Sequence, residues 1–395
     1  MHPTQLVRKL ESLTPEDKTP ELTRLEQELR GHLASFKELI RKILLTGVLT
    51  EEIRRERQDL EKVVQEVAEK VLALLYPLEK LFRLKESYET QVLRYRTLGW
   101  LMEQDGKEGI IGLDQNFYPM PSFDAIQEAL FEQGELLTYK HSQGFKKFML
   151  VPFGMSYVEM YNKLETEYKR YAEDDTLKLY GTDAVQKQLT IIEKDPYCSF
   201  DMKKEAELGY YPETLYSDDP EVHQAKSKAE LIADSATRFP GWEIHLIPEN
   251  PLLARKQKDK DPEMIGDRPV FESECDFGDY LEVMKGREGQ NLSKSGNKPK
   301  SVKDSDGHNV YRGEVGLIPE VWAAWALEEL YTNKQVLHDW NSEQDTAAVL
   351  IGTLTKVYSV AVSSFDRNND QVHLLDYDTD HRYGYFSGVS SVKVC

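Results

Sequence analysis

The sequence predicts an α+β protein in three parts: an N-terminal helical hairpin or bundle over residues 1–96, a mixed α/β segment over 97–230, and a C-terminal domain over 231–395. Three observations carry that prediction. Apolar residues recur at three- and four-residue steps through the first part. Short apolar runs alternate with prolines, glycines and amphipathic stretches through the second. The third part ends in a segment from which Glu and Lys disappear.

In the first part Leu22, Leu25, Leu29, Leu33, Phe36, Leu39, Ile40 and Ile43 fall on one helical face. Gly47 ends that helix, and Thr50 with Glu51 and Glu52 opens the next. The second stripe runs Ile53, Leu60, Val63, Val64, Val67, Val71, Leu74 and Leu75, and Pro77 ends or kinks it before a segment from Leu81 to Leu98. The short Gly47 break favours folding back, so the two stripes are expected to pack as an antiparallel pair. The same helices offer a route to self-association.

In the middle part Glu108–Leu113 reads as a short strand and Tyr118–Pro121 as extended chain. Ser122 can cap a helix reaching Tyr139. Phe148–Gly154 is a buried apolar run, followed by a helix from Ser156 to Ala172. Residues 205–229 are acidic and read as partly irregular. In the last part Gly241–Pro248 alternates as a half-buried strand does. Residues 252–312 form a long polar excursion with a helix at Cys275–Lys285. Pro319 opens a helix to Leu337, and Asp345–Val362 is β-type. The Trp322/Trp325 pair and His245 read as core groups.

From Val357 to Val392 the chain has neither Glu nor Lys, although it holds 42 Glu and 32 Lys among 395 residues, so about seven are expected in such a window. Met and Trp are absent there too. Strands deplete Glu and Lys, but they also disfavour the Asp and Asn that crowd this window. Free substitution of the two adenines in an Asn codon reaches Asp, His, Tyr, Ser, Gly, Val, Phe and Arg among others, and never Glu, Lys, Gln, Met or Trp. Gln371 alone breaks that exclusion. The candidate ligand contacts are Tyr358, Ser363, Ser364, Asp366, Asn368, Asn369, His373, Asp376, Tyr377, Asp378, Asp380, His381, Tyr383, Tyr385 and Phe386. Such a mixture suits an adaptable binding surface. Strand alternation predicts that the polar set, Ser363, Ser364, His373 and Asp376 included, is exposed on one face. Val372, Leu374, Val389, Val392 and Val394 are expected to be buried.

The order Phe365-Asp366-Arg367-Asn368-Asn369-Asp370-Gln371-Val372-His373-Leu374, an Asp/Tyr-rich run, and then Gly388-Val389-Ser390-Ser391-Val392-Lys393-Val394 resembles the variable region of diversity-generating retroelement target proteins. Gln371, Leu374, Gly388, Val389, Ser391, Val392 and Val394 match the family's pattern. Phe365, Asp370, Val372, Ser390 and Lys393 depart from it, where Trp, Arg, Ala, Arg and Arg are usual, and the family's Ala between Ser391 and Val392 is missing. The pattern covers about a tenth of the chain. The resemblance implies a C-terminal C-type-lectin-like domain over 231–395, with a variable region at about 357–394 that binds a protein or other macromolecular ligand.

Charge narrows the alternatives. A net charge of −19 argues against nucleic-acid binding, which needs basic patches. The basic stretches at 255–260 and 294–303 read as solvated linkers. Cys198, Cys275 and Cys395 form neither a disulfide framework nor a metal motif. Asp366-x-Asn368-x-Asp370 and Asp304-x-Asp306-Gly307 fail as calcium loops at their later positions and read as turns. No HExxH, GxSxG or phosphate-binding glycine motif occurs, so no catalytic residue, metal or cofactor is expected. The alternative is an enzyme related to the formylglycine-generating enzymes, which share the lectin-like architecture and depend on cysteines. Without a signal peptide or an apolar span, the expected location is the cytoplasm by default, or outside by a route the sequence does not show.

Overall fold

The computed structural model describes residues 7, 10–11, 20–46, 50–75, 77–174, 177, 208–234, 236–249, 264–265, 268–269, 276–292, 297–340, 347–356, 359–366, 371–378, 386–388 and 390–394. The architecture is α+β. The chain divides into two compact units, 1–84 with 123–132, and 85–122 with 133–395.

The first unit holds α1 (Pro20–Thr46), α2 (Glu51–Leu75), α3 (Pro77–Phe82) and, from later in the chain, Phe123–Glu132. The two stripes meet as the spacing predicts. Leu22, Leu25 and Leu29 of α1 form one buried cluster with Val64, Val67 and Val71 of α2, joined by Leu10. Arg30 adds a local ion pair to Glu26 one turn back, at 2.6 Å. The apolar cover thins toward the Gly47 end, where Leu44 and Leu45 are 79% and 77% exposed.

In the second unit α4 (Leu84–Leu98) leads into a three-stranded antiparallel sheet of β1 (Met102–Gln104), β2 (Lys107–Ile111) and β3 (Phe117–Pro119). The helix expected from Ser122 to Tyr139 is instead two, α5 (Phe123–Glu132) and α6 (Gly134–Ser142), which break at Gln133 and Gly134. Next come β4 (Phe145–Val151), α7 (Tyr157–Glu173), β5 (Gly209–Tyr210), α8 (Pro220–His223) and α9 (Lys228–Ala233). The remainder is β6 (Glu243–Pro248), the pair β7 (Met264–Ile265) and β8 (Arg268–Pro269), α10 (Phe277–Met284), β9 (Glu314–Gly316), α11 (Pro319–Asn333), β10 (Asp339–Trp340), β11 (Ala347–Lys356), β12 (Ser359–Asp366), β13 (Gln371–Asp378), β14 (Phe386–Gly388) and β15 (Ser390–Lys393).

Two larger sheets form the core of this unit. The first has the order β4-β6-β15-β9, antiparallel throughout, so β15 lies between β6 and β9. The second is built on the antiparallel run β11-β12-β13, with β10 and β14 joined in parallel and β5 antiparallel. The sheets abut where Gly316 meets Gly352. A Cβ on Gly316 would stand 2.3 Å from the Gly352 nitrogen, and one on Gly352 would stand 2.2 Å from the Gly316 oxygen. Only hydrogen-sized side groups let the backbones come this close.

β6 is buried along its whole length, contrary to the half-buried expectation, because both faces of the first sheet are covered. The helix from Pro319 ends at Asn333, short of Leu337, and Lys334 caps it in the left-handed conformation. Trp322 and Trp325 are core, each 0% exposed, and the Trp322 indole donates to His338 Nδ1 at 3.0 Å. Among the described residues no helix is long and apolar enough to cross a membrane.

Candidate functional site

Ser390 to Lys393 of the terminal motif form β15, and each polar side chain among them has a buried partner. Ser390 donates to Glu314 Oε2 at 2.5 Å. Glu314 Oε1 faces Lys140 Nζ at 2.8 Å, and that ammonium also donates to Gln143 Oε1 and the Val310 carbonyl at 2.8 and 2.6 Å. Both members of this ion pair have 0% exposed side chains. A cation so far from water is tolerable only with this number of acceptors.

Ser391 opens a second chain. Its hydroxyl lies 2.9 Å from His245 Nδ1, and His245 Nε2 lies 3.0 Å from Glu243 Oε2. Glu243 also receives the Tyr211 hydroxyl at 2.5 Å and pairs with Lys393, whose ammonium stands 4.1 Å over the Tyr211 ring. Burial pushes the Glu243 carboxyl up, but the Lys393 charge and the His245 hydrogen bond prevail and bring it down to about 2. Burial lowers His245 below its ordinary value, with Glu243 opposing. His245 is therefore neutral. Its proton sits on Nε2 and donates to Glu243, while Nδ1 accepts from Ser391.

An acid, a histidine and a serine in series can serve acyl transfer. Here Ser391 is 0% exposed and no substrate carbonyl can reach its Oγ. The chain acts as a fastening that fixes β15 against β6. The sequence places His245 in the core but does not show its partners Tyr211, Ser391 and Lys393, which only the tertiary fold brings together, while Glu243 lies two positions away on the same strand.

The central sheet corrects the expected exposure of the polar set. In register, Ala348, Ser363 and Leu374 share one face, and Val349, Val362 and Leu375 share the other. α7 and α11 cover the first face, and α10 covers the second. Ser363 and Ser364 thus point to opposite faces and both are buried, at 0% and 5% exposed. Ser363 accepts the Tyr161 hydroxyl at 3.0 Å and donates to the His373 carbonyl at 3.0 Å. His373, beside Ser364 in register, is 9% exposed. Exposure predicted by alternation fails for Ser363, Ser364 and His373, since the rule assumes one wet face and at these positions the sheet is covered on both.

Asp376 is exposed, as expected of a contact residue. Val372, Leu374, Val392 and Val394 are buried, as expected of a frame. Asp366, Tyr377, Asp378 and Phe386 lie on strands β12, β13 and β14. Tyr358, Asn368, Asn369, Asp380, His381, Tyr383 and Tyr385 lie outside the described residues, as do Val389 and the three cysteines. The Asp366–Asp370 calcium reading falls largely outside them as well. At the other turn, Asp304 Oδ1 accepts the backbone N–H groups of Asp306 and His308 at 3.0 and 2.8 Å, the turn role predicted for it.

Compared with known proteins, the chain matches no family model, no curated protein and no solved structure.

Proposed function

We propose that this is a ligand-binding protein whose C-terminal, lectin-like domain presents a surface diversified by a retroelement to recognise variable macromolecular targets, proteins foremost. One observation carries the reading: the stretch without Glu and Lys is interwoven with a buried frame. Val372 and Leu374 hold it near its middle and Ser390 to Val392 at its end, while Asp376 faces solvent on the same strand as Leu374. A rigid frame around a polar, aromatic segment is what tolerance to sequence change demands, and Tyr with short polar groups supplies contact area at low entropic cost.

Ser363, Ser364 and His373 belong to the frame in this reading. The contact set narrows to Tyr358, Asp366, Asn368, Asn369 and the polar and aromatic residues from Asp376 to Phe386. The N-terminal hairpin serves as a spacer, and the exposed Leu44 and Leu45 offer it a means of self-association. An enzyme of the formylglycine-generating type of fold is the second reading. The Glu243–His245–Ser391 chain does not supply the cysteine chemistry that reading needs, and the burial of Ser391 opposes an acyl-transfer role for it.

The genome supplies the test. A near-copy of the codons for 358–394, differing mainly at adenines and lying beside a reverse transcriptase gene, is expected. Finding no such copy removes the diversification. Binding is tested by display of the full chain randomised from Asp376 to Tyr385, from which folded variants with new ligands should be recoverable.

A further inference from the structure

Helix α10 begins at a group of polar side chains with no part in the surface just described. Asp276 caps the helix and accepts the Asp279 backbone N–H at 2.8 Å. It also accepts the Tyr216 hydroxyl and, on Oδ2, the Asn291 amide at 2.7 Å. Asp279 accepts the backbone N–H of Gln290 on Oδ1 at 2.5 Å and that of Asn291 on Oδ2 at 3.1 Å. The Tyr216 oxygen lies 2.9 Å from Asp279 Oδ1 and 3.2 Å from the Asn291 amide nitrogen. Both carboxyls belong to residues only 1% exposed.

A phenol has one O–H to donate and two lone pairs to fill. Tyr216 spends its proton on Asp276, and the Asn291 amide takes one lone pair. Asp279 Oδ1 can then approach within 2.9 Å only by bringing a proton to the other. Two ionised carboxylates against one buried phenol oxygen would repel each other strongly. We infer that Asp276, Tyr216 and Asp279 form a proton-operated latch, in which neutral Asp279 ties Tyr216 and the turn at Gln290–Asn291 to the start of α10 and releases Tyr216 when the proton leaves.

The surrounding charges leave the latch alone. Glu282, further along α10, takes the Thr214 hydroxyl at 2.8 Å and Arg287 at 2.6 Å. Glu213 takes Lys285 and Arg287 at 2.9 and 2.6 Å. Among the described residues no salt bridge reaches Asp276 or Asp279. Burial raises the Asp279 carboxyl above its ordinary value, and the Asp276 charge adds to this, while the backbone hydrogen bonds from Gln290 and Asn291 offset only part. Glycines permit the close fit: a Cβ at Gly278 would stand 2.3 Å from the Tyr216 ring, and one at Gly289 would stand 2.8 Å from Asp279 Cγ. Because α10 covers one face of the central sheet through Phe277, Leu281 and Met284, the latch controls how firmly that cover is held.

The test uses the full chain labelled with ¹³C at the Asp carboxyls, titrated by NMR with Asp279 assigned through its own backbone, beside urea unfolding across the same pH range. The Asp279 signal is expected to titrate above the ordinary value of 3.8, with Tyr216 ring signals moving at the same midpoint. A carboxyl raised in the folded state contributes stability that declines as pH rises from 3.8 through the raised value. Asp279→Asn carries a permanent N–H donor and should abolish that decline. Titration of Asp279 at or below 3.8, or an unchanged decline in Asp279→Asn, overturns the latch. Should Asp279→Asn fail to fold, the titration of the unaltered chain decides alone.

Discussion

The Tyr161 hydroxyl donates to Ser363 Oγ at 3.0 Å, joining α7 to the middle strand of the central sheet. Ser363 passes the chain on to the His373 carbonyl. Ser363→Ala strips both buried groups of this partner and should cost about 1–3 kcal/mol in urea unfolding. Leu374→Ala, truncating a wholly buried frame residue, should cost about 2–5 kcal/mol. Asp376→Ser, at an exposed position of the same sheet, should stay within about 0.5 kcal/mol. Equal losses for Asp376→Ser and Leu374→Ala would mean that Asp376 belongs to the core.

Stability should depend on pH through β15. His245 is held below its ordinary value of 6.5, so unfolding takes up a proton there and stability falls as pH drops below 6.5. Glu243, lowered from 4.5 to about 2, adds a second loss between those values. His245→Gln should flatten the upper window and leave the lower one, as read from unfolding midpoints at a series of pH values. An unchanged upper window would place that titration elsewhere.

Lys140 and Glu314 form a pair with no exposed side-chain surface. Lys140→Met leaves the carboxylate uncompensated and should cost about 3–5 kcal/mol, while Lys140→Met with Glu314→Leu should recover much of it. A double variant no better than the single would show that the Ser390 and Val310 contacts, and not the charge balance, dominate.

Gly352 sits where two sheets touch. Gly352→Ala puts a methyl group 2.2 Å from the Gly316 oxygen, so a strand must move. The expected loss is at least about 1–3 kcal/mol by thermal unfolding. A neutral result would mean that the sheets separate more easily than their glycine contact implies.

Leu29 is fully buried in the hairpin, and Leu45 near its tip is 77% exposed. Leu29→Ala should cost about 2–5 kcal/mol, and Leu45→Ser should leave stability within about 0.5 kcal/mol. Sedimentation of a Leu44→Ser, Leu45→Ser variant reports self-association directly. An unchanged mass distribution removes the tip as its origin.

Much of the local structure was legible in the sequence, because helix periodicity, proline and glycine are short-range signals. The stripes of α1 and α2, the start of α7 after Ser156 and the helix opened by Pro319 follow from residues a few positions apart. The buried frame at Val372, Leu374, Val392 and Val394 was legible too, since apolar strand residues seek the core whichever face they use. The composition between Val357 and Val392 is a property of the chain alone, and it remains the source of the functional reading.

Tertiary structure decided which of the polar residues face water. Alternation assigns side chains to two faces, but whether a face is wet depends on what packs there, and α7, α11 and α10 arrive from distant parts of the chain. For that reason Ser363, Ser364 and His373 became frame while Asp376 stayed at the surface. The fastenings of β15 had the same origin. Ser391 meets His245 across 146 positions through the pairing of β15 with β6, and Glu314 meets Lys140 of α6 across 174, and both contacts are invisible to any window of sequence.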